Sequence, residues 1–163
     1  MLNNNFYKAI DNKISDAYNF TNSIVKMDGS QLNSTPYRYP YDFNNIAYVS
    51  TPRALSTTNN KAIFIGSGTT PPTLDDYKLE NLITTGYSAS ISGTNSEDQI
   101  VATGQFAMTI TITNTQTENL VINELGYFVC GPILYDRIVL DTPVTIAPGA
   151  TKTIEYRLNM PQP

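Results

Sequence analysis

The sequence predicts a mainly β protein: an antiparallel β-sandwich, immunoglobulin-like or jelly-roll-like, preceded by an amphipathic helix and an extended arm. Three observations carry that prediction. The 163 residues include 21 Thr and 17 Asn, and Thr favours strands while Asn favours turns. From Ile46 onward, short apolar-alternating runs recur about every 8 to 15 residues with turn signals between them. Helical crossovers, which a parallel sheet needs, are missing from those intervals.

The first element is the helix. Residues 3 to 20, NNNFYKAIDNKISDAYNF, place Phe6, Ala9, Ile10, Ile14, Ala17 and Tyr18 on one face of a 3.6-residue period. Lys8, Asp11, Asn12, Lys13 and Asp16 lie opposite, and Asn3 to Asn5 are cap candidates. A lone helix of this length is marginal in water, so its apolar stripe must cover something. Residues 21 to 45 then read as extended. An Asp28-Gly29 turn joins two short pieces. Pro36 and Pro40 bracket Tyr37, Arg38 and Tyr39, with Tyr41 following, and proline holds such a stretch out of helix. This Tyr-rich arm either docks on a neighbouring subunit, where Tyr offers wide contact and a polar tip, or lies on its own domain. The expected boundary follows residue 45: helix and arm in 1–45, sandwich in 46–163.

Within the sandwich, residues 46–52, 61–68 and 82–94 are strand candidates. Thr73 and Asp76 have the spacing of a capped turn. Residues 104–114 alternate cleanly, with Phe106, Met108, Ile110 and Ile112 on one face and Ala107, Thr109, Thr111 and Thr113 on the other. Residues 120–130, 133–141, 143–147 and 151–160 complete the set, the last pair flanking Pro148-Gly149 as a hairpin. Asp136 and Arg137 interrupt an apolar run. They read as charges guarding a sheet edge, or as one side of an ion pair between subunits.

Candidate chemistry is sparse. The chain has no histidine, which excludes His-assisted hydrolases, His-ligated zinc or iron and imidazole bases. Carboxylate-only or Lys-based chemistry survives that exclusion. In GSGTTPP no Lys is present and two prolines remove backbone donors, so a tight turn at Gly66 and Gly68 is expected rather than a phosphate loop. Asp75, Asp76 and Glu80 form one acidic cluster and Glu97-Asp98 another. Neither has the ligand spacing of an EF-hand, and solvated loop carboxylates are expected, with no metal and no cofactor. Tyr37, Tyr39, Tyr41 and Tyr48 are the residues that sugar stacking would use, without any Trp to support it.

Net charge is −4, with ten basic residues scattered along the chain. This argues against a nucleic-acid groove or a polybasic membrane patch. The single cysteine, Cys130, cannot form an intrachain disulfide and reads as a small core residue. The opening MLNNNFYKAIDNK lacks the cationic start and apolar stretch of a secretory signal, so synthesis in a cytosol is expected.

Three segments in order, FIGSGTTPPTLDDYKLEN, ITNTQTENLVINELGYFV and ILYDRIVLDTPVTIAPGATKTIEYRL, cover roughly residues 62 to 158. Together they resemble small virion proteins of tailed bacteriophages. The resemblance implies an accessory head, collar or tail component with no catalytic residues. The expected role is therefore structural, in the virion, as a ring or trimer contacting itself and other virion proteins. The interface is expected at Phe6, Ile10 and Ile14 of the helix and Tyr37, Tyr39 and Tyr41 of the arm. A receptor- or glycan-binding sandwich of a phage or bacterial surface assembly is the alternative.

Overall fold

The computed structural model describes residues 4, 5, 7, 19–34, 61–92, 105–129 and 133–159. They contain eight strands: β1 (Asn19–Val25), β2 (Gln31–Ser34), β3 (Lys61–Gly66), β4 (Tyr87–Ser92), β5 (Gln105–Asn114), β6 (Leu120–Val129), β7 (Ile133–Ile146) and β8 (Thr151–Asn159). β1 and β2 pair as a hairpin. β3, β6 and β7 form one antiparallel sheet with β6 central, and β4, β5 and β8 form a second with β5 central.

The two sheets share one apolar core. Ile63 and Ile65 of β3, Met108, Ile110 and Ile112 of β5, Leu125 and Tyr127 of β6, and Tyr156 of β8 all belong to a single buried cluster. The period-2 pattern explains the sorting. In β5 the Ile and Met positions are buried, while Thr109, Thr111 and Thr113 keep partial exposure on the outer face. There, Thr113 and Thr111 hydroxyls pair with those of Thr151 and Thr153 at 2.8 and 3.3 Å. Each fully buried Ile stabilises the fold by about 1.5–3 kcal/mol, so this stripe dominates the apolar stabilisation of the second sheet.

Several expectations change in detail. The helix expected over residues 3–20 is not supported as a whole: only Asn4, Asn5, Tyr7, Asn19 and Phe20 of that span are described, the first three with helical backbone, whereas Asn19 and Phe20 open β1. The strand expected at 46–52 lies outside the described residues. The strand expected over 82–94 is shorter, because residues 83–86 turn the chain before β4 and Leu82 forms only an isolated bridge to Gly66. Residues 133–141 and 143–147 form one strand, not two. Pro143 is tolerated because β7 lies at a sheet edge and carries a register shift between its pairings at Val139 and Val144.

The Pro148-Gly149 turn is real but is not a hairpin. The Ala150 N–H donates to the Ala147 carbonyl at 3.0 Å, and Gly149 has φ 71°, as a type II turn requires. Yet β7 pairs with β6 and β8 with β5, so the turn carries the chain from one sheet to the other. Residues 115–119 do the same between β5 and β6. Asn114, fully buried, ties both corners together. Its side-chain amide donates to the carbonyls of Glu118 and Ile146 at 2.7 and 2.8 Å and accepts from the Gln116 N–H at 2.9 Å.

By contrast, the Asp28-Gly29 turn joins a true hairpin. The Gly29 N–H reaches the Lys26 carbonyl at 2.8 Å with φ 82°, and the Asp28 carboxylate accepts from the Ser30 N–H and hydroxyl.

Candidate functional site

The best-built polar site lies on the outer face of the β3–β6–β7 sheet, under residues 67–82. That segment, here called the strap, folds back over Gly66, Glu124, Gly126 and Arg137. Its anchor is apolar. Leu79 is 2 % exposed and packs with Phe64, Phe128 and Leu134 in a second core, which Met27 and Leu82 flank. Phe64 and Phe128 meet edge-on at 4.9 Å. Gly126 makes room for the anchor: a Cβ there would come 2.7 Å from Leu79 Cδ2.

Beside this anchor sits an ionic node. Glu124, fully buried in β6, accepts from the backbone N–H groups of Gly68, Asn81 and Glu80 at 3.1, 2.9 and 3.2 Å. Arg137 of β7 donates its Nε to Glu124 at 2.7 Å and Nη1 to Asp76 at 2.9 Å, and its Nη2 lies 3.6 Å from Glu80. Asp76 also accepts from the Thr73 N–H and hydroxyl. Glu80 accepts from the N–H groups of Thr69 and Thr70 and from the Thr70 hydroxyl. Gly66 and Gly68 serve close approach: a Cβ at either would come within 2.4 or 2.6 Å of Glu124 Oε1.

The electrostatics follow from these contacts. Partial burial pushes the Asp76 carboxyl up, but the Thr73 N–H, Arg137 and the Thr73 hydroxyl outweigh it and hold the group below its usual value. Hydrogen bonds from Thr70, backbone first, hold Glu80 down as well. For Arg137, desolvation opposes the charge while Asp76 and Glu124 favour it, and the net shift is upward. All three groups therefore stay charged near neutral pH. Carboxylates held low in this way are poor proton donors there, and Asp76 and Glu80 instead clasp the strap to Arg137.

This placement revises two expectations. Asp76 and Glu80 are not freely solvated loop carboxylates, because both turn onto Arg137 and strap N–H groups; Asp75 is exposed and accepts from the Asn4 side chain at 2.8 Å. Asp136 and Arg137 do not face out from the edge, although β7 is an edge strand: each is 3 % exposed. Asp136 points the other way from Arg137, into the shared core. There it accepts a hydrogen bond from the Tyr156 hydroxyl of the opposite sheet. Burial, then the Asp136 charge, pushes the Tyr156 phenol well above its usual value.

A second polar feature joins the start of the chain to the strap. Asn5, 3 % exposed, donates to the carbonyls of Val25 and Leu134 at 2.7 and 3.3 Å and accepts from the Val25 N–H at 2.9 Å. The Asn4 N–H donates to the Leu74 carbonyl at 2.8 Å. Contacts thus cross the boundary expected after residue 45. Phe6, Ile10, Ile14, Tyr37, Tyr39 and Tyr41 lie outside the described residues, as do Tyr48, Glu97, Asp98 and Cys130.

Sequence reasoning passed over Glu124, Asn114, Asn5 and the Tyr156 hydroxyl. Glu124 had a readable signal, since a lone acid inside the buried run of β6 requires a cation, and Arg137 interrupts the next apolar run. Asn5 and Asn114 had none, standing among 17 asparagines. Among the described residues, no group of three or more His, Cys, Asp or Glu side chains is placed to hold a metal ion. No protein-family model, curated protein or solved structure matches the chain.

Proposed function

We propose that this chain is a structural, non-enzymatic subunit of a tailed-phage virion, an oligomeric head-, collar- or tail-associated protein built on an immunoglobulin-like β-sandwich. Two three-stranded antiparallel sheets around one core support the sandwich part of this reading. The observation that carries the functional part is the fate of the charged residues. Asp76 and Glu80, two of the three acids clustered in the described strap, are engaged with Arg137 and backbone N–H groups, so their chemistry serves architecture. The segments that resemble virion proteins are also the ones that build this architecture: the strap, the β5–β6 corner and the β7–β8 corner. Its partners in this reading are further copies of itself and other virion proteins, gripped through residues 1–45.

Particles purified from the source culture test this directly. Mass spectrometry is expected to find the chain as a regular component, and antibody-gold labelling to place it on the head, collar or tail. Its absence from intact particles removes the proposal.

A further inference from the structure

We propose that the strap is an acid-released flap: its two ends are hinges held by groups that do not titrate, its middle is latched by carboxylates, and release uncovers the Phe64, Phe128 and Leu134 face of the first sheet. The flap goes beyond the virion reading and does not depend on it.

The hinges are amide contacts. At one end the Ser67 carbonyl accepts from the Asn123 side chain at 2.8 Å. At the other, Leu82 bridges to Gly66, and the Ile83 N–H donates to the Ile65 carbonyl at 3.0 Å. The Ser67 N–H donates to the Asn81 carbonyl at 2.9 Å and draws the two ends together. Amides and carbonyls neither gain nor lose charge between pH 7 and pH 3, so acid leaves the hinges in place.

Between the hinges the bonding changes character. The N–H groups of Gly68, Glu80 and Asn81 end on the Glu124 carboxylate, and Asp76 and Glu80 reach the sheet through Arg137. Three carboxylates thus converge on one cation. The other charged groups near the strap are turned elsewhere. Asp75 accepts from the Asn4 side chain, Lys78 lies over the Tyr77 ring at 5.8 Å, Asp28 accepts from Ser30 with Lys26 beside it, and Asp136 faces the shared core. The Asn4 N–H holds the Leu74 carbonyl, which ties the strap to the start of the chain and not to the sheet.

Acid acts on the latch alone. The Asp76 carboxyl sits below its ordinary 3.8 despite partial burial, through Thr73 and Arg137, and the Thr70 N–H and hydroxyl hold Glu80 below 4.5. Both bind a proton more readily once the flap is open. Across the window between its free and latched values, each carboxyl therefore lowers the ratio of closed to open flap by about tenfold per pH unit. Leu79 is then the main hold between the hinges, and lifting it bares Phe64, Phe128 and Leu134, all buried while the flap is closed.

The chain contains no Trp, so Phe64→Trp places a single indole under the flap of the full-length protein. Its emission and its quenching by acrylamide are followed from pH 7 to pH 3. Hydrogen exchange at Gly68, Glu80, Asn81 and β5, taken relative to intrinsic rates, is measured alongside. The expected result is a red shift, stronger quenching and faster opening at the three strap amides while β5 stays protected. Asp76→Asn/Glu80→Gln in the same background is expected to show the red shift already at pH 7, and Asp75→Asn to leave the pH profile unchanged. Emission that stays blue and shielded until β5 loses protection overturns the flap. So does a double variant whose emission at pH 7 matches that of its parent. Should Phe64→Trp fail to fold, exchange in the unsubstituted protein decides: opening at the strap amides ahead of β5 supports the flap, and simultaneous opening overturns it.

Discussion

Replacing Arg137 with Met tests whether a single buried node holds the strap. Met keeps an unbranched stem of similar width and carries no charge. In the variant, Glu124 remains fully buried and keeps its three backbone donors, but the guanidinium 2.7 Å away is gone. Removing one partner of a buried ion pair costs about 3–5 kcal/mol, because the remaining charge is left uncompensated. The Asp76 contact is partly exposed and adds roughly 1 kcal/mol at most. A loss of about 4 kcal/mol moves a urea midpoint down by about 2 M for a slope near 2 kcal/mol/M. A second substitution, Glu124→Gln, separates charge from shape. The neutral amide still accepts strap N–H groups but no longer needs a cation, so the double variant is expected to recover part of the loss. A coupling above about 1.5 kcal/mol in the double-mutant cycle is the expected signature. An Arg137→Met midpoint within about 0.3 M of the parent, or strictly additive effects, refutes the reasoning.

Other consequences follow from the same geometry. Gly126→Ala drives a methyl into Leu79 and is expected to cost about 1–3 kcal/mol by overpacking; adding Leu79→Ala should then cost less than it does alone, as read by urea midpoints. Tyr156→Phe removes a donor from buried Asp136 and is expected to cost about 1.5–3 kcal/mol, with secondary structure unchanged by circular dichroism. Asp76 and Glu80 have folded-state values below their ordinary 3.8 and 4.5, so their stabilisation is complete above those values and fades as pH falls through the lower folded ones. Opening of the strap, read as hydrogen exchange relative to each amide's intrinsic rate at that pH, is therefore expected to accelerate on acidification from about pH 5 to pH 3 before opening at β5 does, and Asp76→Asn should flatten that dependence. Equal acceleration in strap and β5 would show that the strap is no separate unit.

How much of this was legible depends on whether a residue's role is local. Met108, Ile110 and Ile112 went to the core as their alternation predicts, and Asp28-Gly29 and Pro148-Gly149 became turns because proline, glycine and a short acid act within four residues. Thr73 and Asp76 do bond reciprocally, yet the segment stops at one turn, because the strap must return to Leu79 and the sheet. What stayed hidden was pairing at a distance. A turn between two patterned runs looks the same whether the runs pair with each other or enter different sheets. The corners at 115–119 and 147–150 are of the second kind, and Asn114 specifies them through bonds no spacing rule contains.

The placing of Asp136 and Arg137 shows how one extra residue decides the outcome. β6 and β7 pair Phe128 with Leu134 and Tyr127 with Asp136, which leaves Tyr135 as an additional residue on β7. Strict alternation from Ile133 inward would turn Asp136 out beside Leu134 and aim Arg137 into the shared core, where the described neighbours are largely apolar. The bulge shifts the phase by one. Tyr135 and Asp136 both face the shared core, where Tyr156 donates to the carboxylate, and Arg137 faces out, where Glu124, Asp76 and Glu80 converge on it. Burying either charge without its partner would cost several kcal/mol, so the correct register of this hairpin is enforced from both faces at once. On that argument the two charges act neither as guards of an exposed edge nor as a bridge to a neighbour: they set the register that lets one strand close two cores.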